Sequence, residues 1–176
     1  MTLTNIVRTI SPVLALLAGC LSAAAQGLGD TCKVPLDAER KMIVTAHHSY
    51  ETRSQKNKTR TDETIYMGGL NGAVYIKVKG QWMHGFLTPA ESLKQKEENI
   101  RNAKNSCRYL RDEAVGGESA AVYSIHSETE DSKTDGTVWV GKTSGLSLRA
   151  EVDIDGGMHS SVRYEYSNVH APEGVK

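Results

Sequence analysis

The run from Leu146 to Asn168 limits the possible folds of this chain more than any other part of it. In Leu146–Ile154 the even positions, Leu146, Leu148, Ala150, Val152 and Ile154, are apolar, while Ser147, Arg149, Glu151 and Asp153 are polar. Side chains alternate across a strand, so this is a strand with one buried face. In Met158–Asn168 the even positions again carry the apolar set, Met158, Val162, Tyr164 and Tyr166, against His159, Arg163 and Glu165. Both even sets share a face only if the connecting loop has an odd number of residues, because a one-residue slip turns every side chain over. Asp155-Gly156-Gly157 is such a loop, with glycine free to take the left-handed conformation. It sets Ile154 opposite Met158, Ala150 opposite Val162 and Leu148 opposite Tyr164. The preceding turn, Thr143-Ser144-Gly145, has the same form. It adds Val138 and Val140 to that face and turns Trp139 away from Leu146 and Leu148. One apolar sheet face is specified, and these strands alone do not cover it.

The chain begins with the pattern of an export signal over residues 1–25. Arg8 supplies the basic region, Val13–Ala18 the apolar core, and Ala23-Ala24-Ala25 a small-residue cleavage site. The apolar run is too short for a membrane span. Within it, Leu17-Ala18-Gly19-Cys20 fits a lipobox, which makes Cys20 a lipidation candidate and a means of membrane association. Cleavage after Ala25 and lipidation at Cys20 both stand as readings.

Residues 26–176 suit a single domain with one core. Lys and Arg number 21, as do Asp and Glu, and only Arg8 of these lies in the signal. A balanced chain without a basic stripe argues against a nucleic-acid partner. Cys32 and Cys107 remain after the signal, and export into an oxidising compartment makes a disulfide between them the expectation, with two buried free thiols the alternative. Closing a loop of about 75 residues is worth on the order of 3–4 kcal/mol.

In chain order, Leu36–Lys41 reads as a short helix and Met42–Tyr50 as a strand. Ser54–Arg60 is the polar tip of a hairpin returning through Ile65–Met67, and Ala73–Lys79 alternates again before a turn at Gly80-Gln81. Thr88–Ala103 is the main helix. Thr88 caps it, Pro89 takes the first helical position, Glu91 completes a capping box, and Ala90, Leu93, Ile100 and Ala103 form a narrow apolar stripe. Cys107–Val115 and Ser119–Ser127 read as strands, and Ser127–Asp135 as a charged loop.

No catalytic constellation emerges, and no cofactor or metal is expected. Gly136-Thr-Val-Trp-Val-Gly141-Lys142-Thr143 has the spacing of a phosphate-binding loop, but that mechanism needs a flexible loop followed by a helix. Here a strand occupies the middle and another strand follows. The six histidines, His47, His48, His84, His126, His159 and His170, share no metal-ligand spacing and read as surface or rim residues. Trp82 and Trp139 stand either as residues lining a ligand site or as core or rim residues, with Lys77 or Lys79 placed to cover Trp82 by a cation–π contact.

Several strand-and-turn motifs carry a resemblance. They are Val74-Tyr75-Ile76 with Gly80-Gln81-Trp82, then Val138-Trp139-Val140-Gly141-Lys142 with Gly145-Leu146, then Arg149-Ala150-Glu151 and Tyr164-Glu165-Tyr166-Ser167-Asn168. In these the chain resembles the LolA/LolB-like periplasmic lipoprotein-carrier superfamily. The resemblance implies an α+β fold: a strongly curved antiparallel sheet, an unclosed half-barrel, with one main helix and a short N-terminal helix on its concave face. It further implies a periplasmic or envelope binding protein, not an enzyme, whose apolar groove takes a lipid, an acyl chain or a lipoprotein. Leu93, Ile100, Val138, Val140, Leu146, Leu148, Val152, Val162, Tyr164 and Tyr166 are the groove candidates. The alternative is a structural or interaction protein of the envelope with a packed core. The ligand, the protein partners and the oligomeric state are left open by the sequence.

Overall fold

The computed structural model describes residues 31–176. The expected export signal, with Cys20 and the expected cleavage after Ala25, lies outside the described residues. Helix α1 (Lys33–Val44) leads into β1 (His47–Gln55), β2 (Lys58–Tyr66), β3 (Val74–Val78) and β4 (Gln81–His84). Helix α2 (Pro89–Asn102) is followed by β5 (Lys104–Val115), β6 (Glu118–Glu128), β7 (Lys133–Gly141), β8 (Ser147–Ile154) and β9 (Met158–Glu165). The strands form one nine-stranded sheet in the order β4-β3-β2-β1-β9-β8-β7-β6-β5. Every neighbouring pair is antiparallel. The two ends of this order, β4 and β5, do not pair with each other, so the sheet is not closed into a barrel. This is the α+β architecture that the sequence resemblance implies.

Helix α1 is longer than its polar turns suggest. Met42-Ile43-Val44 favours a strand by propensity, yet it closes the helix, because Ala38, Met42 and Ile43 are all buried on one side. Tertiary packing overrides the preference of the β-branched pair. Helix α2 follows its sequence signals: the Glu91 N–H donates to Thr88 Oγ1 at 3.2 Å, and the Thr88 N–H donates to Glu91 Oε2 at 2.7 Å. Only Pro89 of this helix is fully buried. Charged contacts link α2 to α1. Arg40 donates to both carboxylate oxygens of Glu97, at 2.6 and 3.2 Å, and Lys96 pairs with Glu39 at 2.6 Å.

The β8–β9 register is the expected one, with Ile154 opposite Met158 and Ala150 opposite Val162. The ladder ends at Arg149–Arg163, so Leu148 and Tyr164 do not pair. Between β7 and β8 the parity reading fails at one residue. Val138 pairs with Ala150 and Trp139 with Arg149, but Val140 pairs with Ser147, leaving Leu148 as an extra residue. Such a β-bulge re-aims the side chain. Leu148 joins Ala120, Val122 and Trp139 in a buried cluster on the face away from the helices, with Val115 and Tyr166 against it. Trp139 is thus a partner of Leu148, not turned from it, and the Arg149 guanidinium lies 4.8 Å from its ring centre.

The Cys32–Cys107 disulfide is present, with Cα atoms 4.9 Å apart. It fastens the start of α1 to β5, the outermost strand.

Candidate functional site: a cavity between the helices and the sheet

A cavity of about 660 Å³ lies between α1, α2 and the sheet. Six adjacent strands wall it, with Cys107 from β5, Ile125 from β6, Val138 from β7, Val152 from β8, Val162 and Tyr164 from β9, and Glu51 and Arg53 from β1. Six strands laid flat would span about 24 Å, so the cavity runs across most of the helix-covered part of the sheet. Helix α1 contributes Pro35, Leu36, Glu39 and Met42, and α2 contributes Lys96, Asn99 and Ile100, followed by its C-cap Ala103.

The floor is aliphatic along β7, β8 and β9 and charged on β1. Arg53 donates to Glu51 from Nε at 2.7 Å, and Ser160 Oγ donates to Glu51 Oε1 at 2.6 Å. Burial pushes the Glu51 carboxyl up, but the hydrogen bonds from Arg53 and Ser160 outweigh it and hold the group below its usual range. Burial raises the Tyr164 phenol strongly, so it stays protonated as a neutral donor. The arrangement is an aliphatic trough with an anchored Glu51–Arg53 ion pair at its side.

Of the groove candidates, Ile100, Val138, Val152, Val162 and Tyr164 line the cavity. Val140 and Leu146 are buried but do not line it. Leu93 is half-buried outside the lining. The bulge removes Leu148 to the opposite face, and Tyr166 lies against the Leu148 cluster, its hydroxyl donating to the Ser147 carbonyl. Sequence reasoning missed Met42, Ile125, Glu51 and Arg53. The spacing of Met42 from Ala38 was the available sign for the first, and alternation along β6 for the second. Nothing in the sequence marks Glu51 and Arg53 as inward.

The Gly136–Thr143 run is a strand and turn, and packing accounts for its glycines. A Cβ on Gly136 would stand 2.5 Å from the Glu151 carbonyl oxygen and 2.7 Å from Val152 Cγ1. At Gly141 it would meet Ser144 Oγ and, at 2.5 Å, Glu118 Oε1. The turn amides of Thr143 and Ser144 donate to Glu118 Oε1 at 3.0 and 2.8 Å, so this chain's own carboxylate takes the place a phosphate would need. Lys77 Nζ lies 5.5 Å from the Trp82 ring centre, as the sequence led us to expect.

His47 is not a surface or rim residue. It is fully buried, stacked on Tyr66 at 4.4 Å, with Tyr164 and Tyr166 at 5.7 and 5.8 Å. Nδ1 donates to the Thr45 carbonyl at 2.8 Å, while Nε2 is buried without a partner. Burial lowers the pKa of this imidazole, so the folded state holds it neutral. The unfolded chain, at about 6.5, takes up the proton first, and stability must fall as pH drops below that value, by up to about 1.4 kcal/mol per unit. His47→Phe keeps the stack and removes the titration. Its unfolding free energy is expected to change less between pH 7.5 and 5.5 than the parent's, measured by urea titration.

Among the described residues no group of three or more His, Cys, Asp or Glu side chains could hold a metal ion, and no helix is long and apolar enough to cross a membrane. No family model and no curated protein matches the chain. Among solved structures it is similar to MucB, at 13% identity over 85% of this chain and 63% of MucB, with a TM-score of 0.48. It is also similar to the Mycobacterium tuberculosis lipoprotein LppX, at 11% identity over 82% of this chain and 98% of LppX, with a TM-score of 0.48. LprF from Mycobacterium bovis matches at 10% identity over 82% of this chain and 97% of LprF, with a TM-score of 0.46. The chain spans under two thirds of MucB, and all three likenesses are distant.

Proposed function

We propose that this is an exported envelope protein that binds the acyl chain of a lipid or lipoprotein in the cavity between its helices and sheet, without catalysing a reaction. The observation that carries the reading is the aliphatic floor formed by Val138, Ala150, Val152, Ile154 and Val162 beneath Ile100. Its size falls within the range of small-molecule sites, about 300–1,000 Å³. Each buried methylene contributes about 0.8 kcal/mol, so a chain of eight carbons along this floor would be held measurably. The Glu51–Arg53 pair gives the polar end of an amphiphile something to meet. Export and any anchoring through Cys20 rest on the sequence pattern.

Uptake of a fluorescent fatty-acid probe by the purified chain tests the reading. Saturable enhancement of emission, displaced by unlabelled fatty acid, is the expected outcome. No enhancement at tens of micromolar probe would defeat it and favour the packed envelope domain.

A further inference from the structure

Of the seven large apolar side chains exposed among the described residues, Leu70, Met83, Phe86 and Leu87 lie on two segments, 67–73 and 83–88, whose backbones meet. Phe86, the one phenylalanine of the chain, is 88% exposed. Their loops are tied together at the base. The Gly85 N–H donates to the Val74 carbonyl at 2.7 Å, the Ala90 N–H donates to the Leu70 carbonyl at 3.0 Å, and Met83 pairs with Ile76 across the β3–β4 ladder. The apolar side chains are therefore presented on a fixed tip.

Two observations select the partner. With side chains of about 150–200 Å² each, the exposed apolar area is roughly 400 Å², about half of the ~800 Å² per partner that a stable protein interface needs. In a chain with 24% charged residues, neither 64–76 nor 80–90 contains a Lys, Arg, Asp or Glu. An anionic membrane or an acidic protein would call for a basic cluster. An uncharged tip of this size suits shallow insertion at the boundary of headgroups and acyl chains. We propose that the Leu70, Met83, Phe86 and Leu87 tip docks the protein on a lipid surface through apolar insertion, independently of headgroup charge. This goes beyond the cavity reading and does not depend on it, since vesicle association and probe uptake are separate measurements.

The test uses the chain carrying Cys20→Ser, so that no acyl anchor contributes, floated with phosphatidylcholine vesicles. Association is expected to be equal at low salt and at high salt. The double variant Phe86→Ser, Leu87→Ser should lose at least tenfold in partition while retaining the parent's circular dichroism. Phe86→Trp should gain emission that brominated phosphatidylcholine quenches. No association by the parent, undiminished association by the double variant, or association only with anionic vesicles at low salt overturns the proposal. So does a dimer that the double variant abolishes, which would assign the tip to a second copy.

Discussion

Reduction of the Cys32–Cys107 bond is expected to lower the thermal midpoint of this protein by about 10 °C. The bond joins residues 75 apart in sequence. Closing a loop of that length restricts the unfolded chain by about 4 kcal/mol, and a domain of this size shifts by about 2–4 °C per kcal/mol. The folded state has a further reason to depend on it. Cys32 is the N-cap of α1 and supplies no side-chain cap hydrogen bond. The first turn of α1 is therefore fixed largely by the covalent link to Cys107, and β5 is the edge of the sheet. Pro35 and Leu36, which wall the cavity, lie in that same turn. Scanning calorimetry with and without reductant measures the effect, and the double variant Cys32→Ser, Cys107→Ser should reproduce it. A midpoint that moves by less than 2 °C would mean that packing alone holds the helix.

The sheet was legible because alternation and loop parity are local. Asp155-Gly156-Gly157 determines how β8 meets β9, and both glycines take positive φ, 87° and 74°, as that loop demands. The capping box at Thr88 was legible for the same reason. The bulge at Leu148 was not, since an extra residue leaves the pattern of apolar and polar positions intact on either side of it. The sequence reads equally well with Leu148 in line with Ala150. What decides against it is tertiary: the Thr143 and Ser144 amides bind Glu118, a residue 25 positions away from the first of them. That contact holds the turn in a form the three-residue reading does not have. Met42 and His47 illustrate a second limit. Propensity reads Met42-Ile43-Val44 as a strand and a histidine pair as exposed. The packing of α1 on the sheet buries both Met42 and His47. Burial against a distant element has no local signature.

Val152→Trp is expected to weaken binding of the acyl probe at least tenfold while changing stability by less than about 1 kcal/mol. Val152 lines the cavity from the middle of β8, and one of its methyl groups already fills the place that a side chain on its cross-strand partner Gly136 would take, so a larger side chain here can extend only towards the cavity. An indole at this position points into the cavity and takes up the volume an acyl chain would use. In an open trough it adds apolar contact and meets no wall. In a filled core the same substitution forces neighbouring side chains off their rotamers, at about 1–3 kcal/mol. The two readings of the protein therefore give opposite signatures in one variant. Leu148→Ala serves as the contrast. Leu148 packs with Ala120, Val122 and Trp139 on the far face, so its truncation should cost about 2–5 kcal/mol in urea denaturation. At temperatures where that variant remains folded, its probe affinity should equal the parent's, because the strand between it and the cavity is unchanged. Loss of probe binding in Val152→Trp with an unaltered midpoint supports an open trough. A midpoint lowered by several degrees, in a protein whose parent takes up no probe, identifies a packed domain.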